Sequence, residues 1–258
     1  MLIDSHAHLN EPAFAEKLEE VIGRAKNASV KACVVPAYDR ESLDRTFALA
    51  IRYPGFVFPA YGIHPWFIDD SDDVDILKQY LEKGNAVAVG EIGLDFGVGF
   101  DDQAHQIALF RKQLELSIEY RLPVIVHCRK AFEAIHRVLS GYRGKIRGVM
   151  HSFSGSSELM GMFLDLGFYI SFSGSVTRKS ARKYHRNAKA VPTDRYLLET
   201  DAPSIATENT PASEMEPMHL AEIASKMAEL RTTEYEDICR ESSDNAEILF
   251  NFKQEYRS

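Results

Sequence analysis

A chain of 258 residues, 45% of them hydrophobic, is long enough to bury one large core and suits one domain over 1–258 better than two unrelated ones. Its formal charge of −8 argues against broad electrostatic wrapping of a polyanion, so positive charge for phosphate recognition must be local. The N-terminus lacks a basic stretch leading into an apolar run, no segment approaches the roughly 18 apolar residues of a bilayer span, and Cys33, Cys128 and Cys239 form no CxxC pair. These features set the expectation of a cytoplasmic protein with reduced thiols, no membrane segment and no obligate protein partner.

In chain order, short apolar or β-branched runs occupy 2–5, 32–36, 56–62, 86–91, 123–127, 146–151, 168–172 and 196–200. Segments with helical apolar spacing separate them, such as Phe14, Leu18, Val21, Ile22 and Ala25, or Leu109, Phe110, Leu114, Leu116, Ile118 and Tyr120. Strict β-then-α alternation demands a parallel sheet covered by helices, and eight strands close a (β/α)8 TIM barrel. A Pro-, Thr- and Glu-rich loop over 202–217 follows the last strand. Extra C-terminal helices, near 217–230 and 233–249, are expected to pack across the outside.

Candidate ligands recur at the C-terminal ends of these strands, the rim where barrel enzymes do their chemistry. Strand 1 runs into His6 and His8, which one intervening residue places on the same side of an extended chain. Strand 4 carries Glu91 within Gly90-Glu91-Ile92-Gly93-Leu94-Asp95, strand 5 ends in His127, strand 6 in His151, and strand 8 leads to Asp201. One histidine at a strand end is ordinarily a hydrogen-bonded structural residue. Four on one rim beside two carboxylates are different, because desolvating that many ligand groups without a cation leaves polar atoms unpaired or charges opposed.

At these residues the sequence closely resembles the TatD family of metal-dependent deoxyribonucleases, a branch of the amidohydrolase-like barrel hydrolases. Six ordered motifs carry the resemblance across the chain. They are Ile3-Asp4-Ser5-His6-Ala7-His8-Leu9, Gly62-Ile63-His64-Pro65, Gly90 to Asp95, Leu122-Pro123-Val124-Ile125-Val126-His127-Cys128-Arg129, His151-Ser152-Phe153-Ser154-Gly155-Ser156 and Leu198-Glu199-Thr200-Asp201-Ala202-Pro203. The resemblance implies two divalent ions (Zn, Mn, Ni, Co or Mg), one served by His6, His8 and Asp201, the other by His127 and His151, with Glu91 bridging both. It further implies DNA, as single strands or ends, for substrate. Asp201 and Glu91 are then the catalytic pair: Asp201 takes the proton of the attacking water and Glu91 sets the metal spacing.

Three positions are candidates for substrate binding: His64 at the end of strand 3, Arg129 two residues beyond a ligand, and Arg178 past strand 7. Ser154-Gly155-Ser156 is read as opening helix 6, and Ser173-Gly174-Ser175 with Arg178 and Lys179 as opening helix 7, both of which suit anions. Departures from the family pattern at Lys130-Ala131-Phe132-Glu133, at Arg178 and at Met215-Glu216-Pro217 bear on substrate preference. Trp66 and Phe67 are read as loop padding, with stacking on unpaired bases as the alternative for exposed rings on a nuclease rim, and His105, His136, His185 and His219 receive no chemistry. The alternative on this barrel is an amidase, lactonase or deaminase acting on a small molecule. The motif set, Glu91 in place of a carboxylated bridging lysine, and positive groups near strands 5 and 7 favour the phosphodiester.

Overall fold

The structure, a computed structural model, describes residues 1–68, 74–97 and 102–252; the remaining positions of the 1–258 unit lie outside it. Eight strands form one parallel sheet in sequence order: β1 (Leu2–Asp4), β2 (Val30–Pro36), β3 (Val57–Tyr61), β4 (Ala88–Asp95), β5 (Val124–Arg129), β6 (Gly148–Met150), β7 (Tyr169–Phe172) and β8 (Tyr196–Leu198). Past β1, Ser5 N–H donates to Leu198 O at 3.0 Å and Asp201 N–H to His6 O at 2.9 Å, which brings the last strand back to the first. The expected (β/α)8 barrel is thus observed. Helices α1 (Leu18–Asn27), α2 (Arg40–Arg52), α3 (Val74–Leu81), α4 (Gln103–Glu119), α5 (Phe132–Ser140), α6 (Ser157–Asp165) and α7 (Arg182–Ala190) follow the strands in turn.

Period-two alternation divides the core. On β5, Ile125 joins Ile3, Val34, Ala60, Ala88, Val149, Tyr169 and Leu197 in one buried layer. Its neighbours Val124 and Val126 pack with helix residues such as Phe110, Leu114 and Ile135. Both faces are covered, which is why these strands read as unbroken apolar runs. Helix starts are capped where the sequence supplies an acceptor: Asp39 and Ser42 form a reciprocal capping box on α2, and Ser156 accepts from Leu159 N–H on α6.

Two further helices follow β8 among the described residues, α8 (Leu220–Arg231) and α9 (Tyr235–Phe250). The course of α9 differs from an outside packing. Asn245 Nδ2 donates to Thr193 O and Tyr196 O at 2.9 Å each, and Ser243 Oγ to Met1 O at 3.0 Å, so α9 passes the N-terminal ends of β8 and β1. Ala246, Leu249 and Phe250 then join the inner layer, where small side chains at Ala32, Ala60 and Ala88 leave volume for them. The helix stoppers the barrel floor. A second difference lies after β7: Ser173-Gly174-Ser175 leads into a short 3-10 turn over Gly174–Thr177, and α7 starts only at Arg182 without a side-chain cap. Thr177 Oγ1 donates to Gly174 O at 2.7 Å, and the turn is buried against the loop following β8, so the segment is spent as packing before the helix begins. Among the described residues no helix is long and apolar enough to cross a membrane.

Candidate metal centre at the barrel mouth

The seam between β1 and β8 builds the first half of the site. Asp4, fully buried, accepts from His6 N–H at 3.3 Å, Thr200 N–H at 3.0 Å and Thr200 Oγ1 at 2.6 Å, and so pins the two strand ends together. Burial outweighs these bonds and lifts the Asp4 carboxyl to about 7. Beyond the pin, His8 N–H donates to Ala202 O at 2.9 Å, and Asp201 takes a left-handed backbone with φ of 50°. Left-handed residues Lys130 and Ser152 also follow the ends of β5 and β6, so the chain turns sharply where ligands are presented.

Four donor atoms meet at that seam. His6 Nε2 lies 3.1 Å from His8 Nε2, 3.3 Å from Glu91 Oε2 and 3.7 Å from Asp201 Oδ1, and His8 Nε2 is 3.5 Å from both oxygens. A tetrahedral cation with N and O ligands at about 2.0–2.2 Å separates them by about 3.3–3.6 Å. The residues fit such an ion. The His6 and His8 Nδ1 atoms are buried without hydrogen bonds; ring packing holds them instead, His6 stacked on His151 at 4.1 Å and His8 edge-on to Tyr38 at 5.5 Å.

Glu91 faces a second cluster with its other oxygen. Oε1 lies 2.9 Å from His151 Nε2, 3.0 Å from His127 Nδ1 and 3.6 Å from His64 Nε2. The far nitrogens of the first two rings are bound to carboxylates: His127 Nε2 to Asp95 Oδ2 at 3.1 Å and His151 Nδ1 to Glu199 Oε1 at 3.2 Å. Carboxylate-backed imidazoles of this kind are the usual arrangement behind metal ligands. His64 is different, because its Nδ1 accepts Trp66 N–H at 3.1 Å, leaving Nε2 to carry the proton and act as donor.

The electrostatics agree with that division. Burial would raise Glu91, but the positive character of His151 and the hydrogen bond from His127 outweigh it and hold the carboxyl well below its usual range. Burial pushes His64 well below the ordinary imidazole value, and burial with nearby His151 lowers His6. Glu91 is therefore ionised while His64 and His6 are neutral. Burial opposes the charged form of His151 too, yet Glu91 and Glu199 raise it well above the normal value, marking where negative charge is concentrated.

Comparison with known proteins matches this framework. The sequence model of the TatD related DNase family covers residues 3–251. The chain belongs to the TatD family. It is 36% identical over 253 residues to the uncharacterized metal-dependent hydrolase YabD of Bacillus subtilis, spanning 97% of this chain and 99% of the relative. The crystal structure of YjjV, a TatD homologue from Escherichia coli, superimposes with a TM-score of 0.92 at 32% identity over 97% of this chain and 98% of that one. A 3'-5' ssDNA/RNA exonuclease TatD of Erwinia billingiae is 31% identical over 257 residues, 96% of this chain and 98% of the relative. Membership, the barrel and the clustered donors make this chain a hydrolase of the TatD family that uses divalent metal.

All six ligand candidates of this TatD-family chain converge, and of the three substrate candidates only His64 lines the same cavity, about 160 Å³, with Tyr38, Trp66 and Phe67. Arg129 stays on the rim with Nη1 3.7 Å from Asp95 Oδ2, and Arg178 donates to Ala206 O at 3.3 Å; both are exposed and neither lines the cavity. Trp66 and Phe67 do more than pad a loop. Trp66 Nε1 donates to Asp95 Oδ2 at 2.6 Å, and both rings remain open to solvent at the mouth, 47% and 43% exposed. Burial opposes ionisation of Asp95, but hydrogen bonds from His127, Gly97 N–H and Trp66 hold its pKa at about 2.

Sequence reasoning missed the supports. Glu199, fully buried, accepts Ser152 N–H at 2.6 Å and Ser171 Oγ at 2.7 Å besides His151. Two buried glutamines of α4 clamp loop backbones: Gln106 exchanges bonds with Asp95 N–H and O at 2.8 and 2.9 Å, and Gln113 with Ile63 N–H and O at 2.8 and 3.0 Å. Their spacing of seven residues, on the face shared with Phe110 and Leu114, is the one signal that could have exposed them. Gly93, at φ of 150°, lets β4 press against β5, since a Cβ there would sit 2.0 Å from His127 O.

Proposed function

We propose that the chain cleaves phosphodiester bonds of DNA, as single strands or strand ends, with two divalent ions held at the mouth. The observation that carries this reading is Glu91, whose two oxygens face separate nitrogen clusters, Oε2 toward His6 and His8 and Oε1 toward His127 and His151. His6, His8 and Asp201 would hold one ion, His127 and His151 the other, with Glu91 between them. Imidazole-rich sets suit Zn, Ni or Co, and Mn or Mg can occupy mixed sites. Such a pair, when bound, lowers the pKa of water and neutralises charge growing on a phosphoryl oxygen.

The chain's own groups do the rest. Asp201, whose Oδ1 sits between His6 and His8, takes the proton from the attacking water. His64 Nε2–H donates to a phosphoryl oxygen, its direction fixed by Trp66 N–H on Nδ1. Glu199 and Asp95 hold the His151 and His127 rings in one orientation. Trp66 and Phe67 offer exposed ring faces to an unpaired terminal base, while Arg129 and Arg178 add positive charge at the rim. The relatives named ssDNA/RNA exonucleases support a nucleic-acid substrate. Three free cysteines support a cytoplasmic setting.

The test is turnover by chelator-stripped protein reloaded with one metal at a time, on single-stranded DNA and on a panel of small esters, lactones and amides. Cleavage of DNA is the expected result. Hydrolysis confined to the small-molecule panel overturns the proposal.

A further inference from the structure

The most basic stretch of the chain lies outside the metal cluster. Six of the 30 Lys and Arg residues fall within 178–189, and no Asp or Glu occurs between Asp165 and Asp194, in a chain of net charge −8. Arg178 and Lys179 precede α7, and Arg182, Lys183, Arg186 and Lys189 lie on it; all six are exposed. Buried Asn187 and Ala188 mark the helix's inner side, so the four cations share the outer one.

Among the described residues only distant carboxylates offset this arrangement, Glu158 facing Arg186 and Glu229 facing Lys189. Lys179 reaches Glu208 only at 3.9 Å, and among the described residues none of the four helix cations has a carboxylate within ion-pair distance. Glu158 and Glu229 face the flank from α6 and α8, but Glu229 is already held by Lys226 at 2.8 Å. Arg182 and Arg186 are an i,i+4 pair of like charge, and cations in a first helical turn oppose the helix dipole. No side-chain cap compensates. A helix that is locally unfavourable and externally uniform in charge fits a polyanion from outside.

Its position fits as well. α7 descends from the mouth, because it follows the C-terminal end of β7. The loop between them is tied to the loop carrying Asp201 and Ser204, through Arg178 to Ala206 O at 3.3 Å and Glu208 N–H to Thr177 Oγ1 at 2.7 Å. In the strand order β7 stands four places from β3, so these cations flank the mouth opposite Trp66 and Phe67. From Arg182 to Lys189 the helix rises about 10 Å.

We infer that the outer face of α7, with Arg178 and Lys179, is the track on which the body of a single-stranded nucleic acid lies while its end occupies the mouth. The inference rests on the nuclease reading above, and its test separates the two. The triple variant R182Q/K183Q/R186Q changes only exposed side chains, and an unaltered melting temperature checks its fold. Binding of a fluorescent 20-nucleotide oligothymidylate is followed by anisotropy in EDTA across a salt series, and turnover is followed on that 20-mer, on a trinucleotide and on bis(p-nitrophenyl) phosphate.

Losing three phosphate contacts flattens the slope of log affinity against log salt by about 2. The expected result is that smaller slope, a KM for the 20-mer raised at least tenfold, and unchanged kinetics on the trinucleotide and the small diester. An unchanged slope, or an equal loss on the 20-mer and trinucleotide, overturns the track. Parental protein that binds the 20-mer with the full slope yet cleaves no phosphodiester upholds the track and sinks the nuclease reading.

Discussion

Replacing Glu199 isolates how His151 is held. Four donors converge on this carboxylate: Ser152 N–H at 2.6 Å and His151 Nδ1 at 3.2 Å on Oε1, Ser171 Oγ at 2.7 Å and Ser5 Oγ at 3.5 Å on Oε2. In Glu199→Gln the amide oxygen takes the place of Oε1, where two N–H groups need an acceptor. The NH2 takes the place of Oε2, where both partners are hydroxyls that can turn to accept. The fold is kept, but the bond to His151 passes from a charged to a neutral acceptor, at about 1 kcal/mol. Changes behind a metal-binding histidine lower metal affinity about 10–100-fold. Glu199→Ala instead strands two buried donors, His151 Nδ1–H and the Ser171 hydroxyl, at about 1–3 kcal/mol each, or about 2–6 kcal/mol together, while Ser152 N–H keeps Ser171 Oγ at 2.9 Å. In a domain of this size that lowers Tm by about 5–15 °C. Calorimetric titration of chelator-stripped protein with Zn or Mn, beside differential scanning calorimetry, reads both quantities. The Gln variant should melt within about 3 °C of the parent and bind metal at least tenfold more weakly, and the Ala variant should lose both. Parental metal affinity in the Gln variant, or parental Tm in the Ala variant, refutes the reasoning.

Other consequences follow from the same centre. Asp201→Asn should retain much of its metal by elemental analysis while turnover falls about 10²–10⁴-fold, and a near-parental rate would remove Asp201 as proton acceptor. Chelation should abolish hydrolysis and lower Tm, and a divalent ion restored at about 100 times its Kd returns about 2.7 kcal/mol of stability; a Tm indifferent to EDTA argues against a resident ion. Trp66→Phe keeps a ring at the mouth but removes the N–H that Asp95 accepts, so kcat should drop with the KM for single-stranded DNA held. Trp66→Ala should raise that KM as well, by about 5–150-fold for one lost base stack; equal kinetics in the two variants would deny the ring a role.

Most of the barrel was legible because its strands are buried on both faces, so runs such as Val124-Ile125-Val126 stand out from the helices around them. The candidate ligands were legible for a related reason: His127 and His151 interrupt those runs at the end where side chains leave the core. Glu199 was hidden between Leu198 and Asp201, since a sequence shows a carboxylate without showing that four donors surround it. Gln106 and Gln113 were hidden by residue type, glutamine being counted with the solvated face when here it replaces backbone partners for Asp95 and Ile63. Ser173-Gly174-Ser175 has the composition of a helix cap, and only the packing against the β8 loop decides that a 3-10 turn forms first. The dive of α9 beneath the barrel depends on space left by Ala32, Ala60 and Ala88, residues far apart in sequence. Periodicity carries no such information.

Because His6 and His8 meet Asp201 only across the junction of the first and last strands, a ribosome must polymerise past that aspartate before these donors can meet. A growing or prematurely terminated chain that exposes the two histidines alone cannot assemble the four-donor cluster, which forms together with closure of the cylinder. The donors at the mouth are thereby gathered late, only after the chain has come full circle.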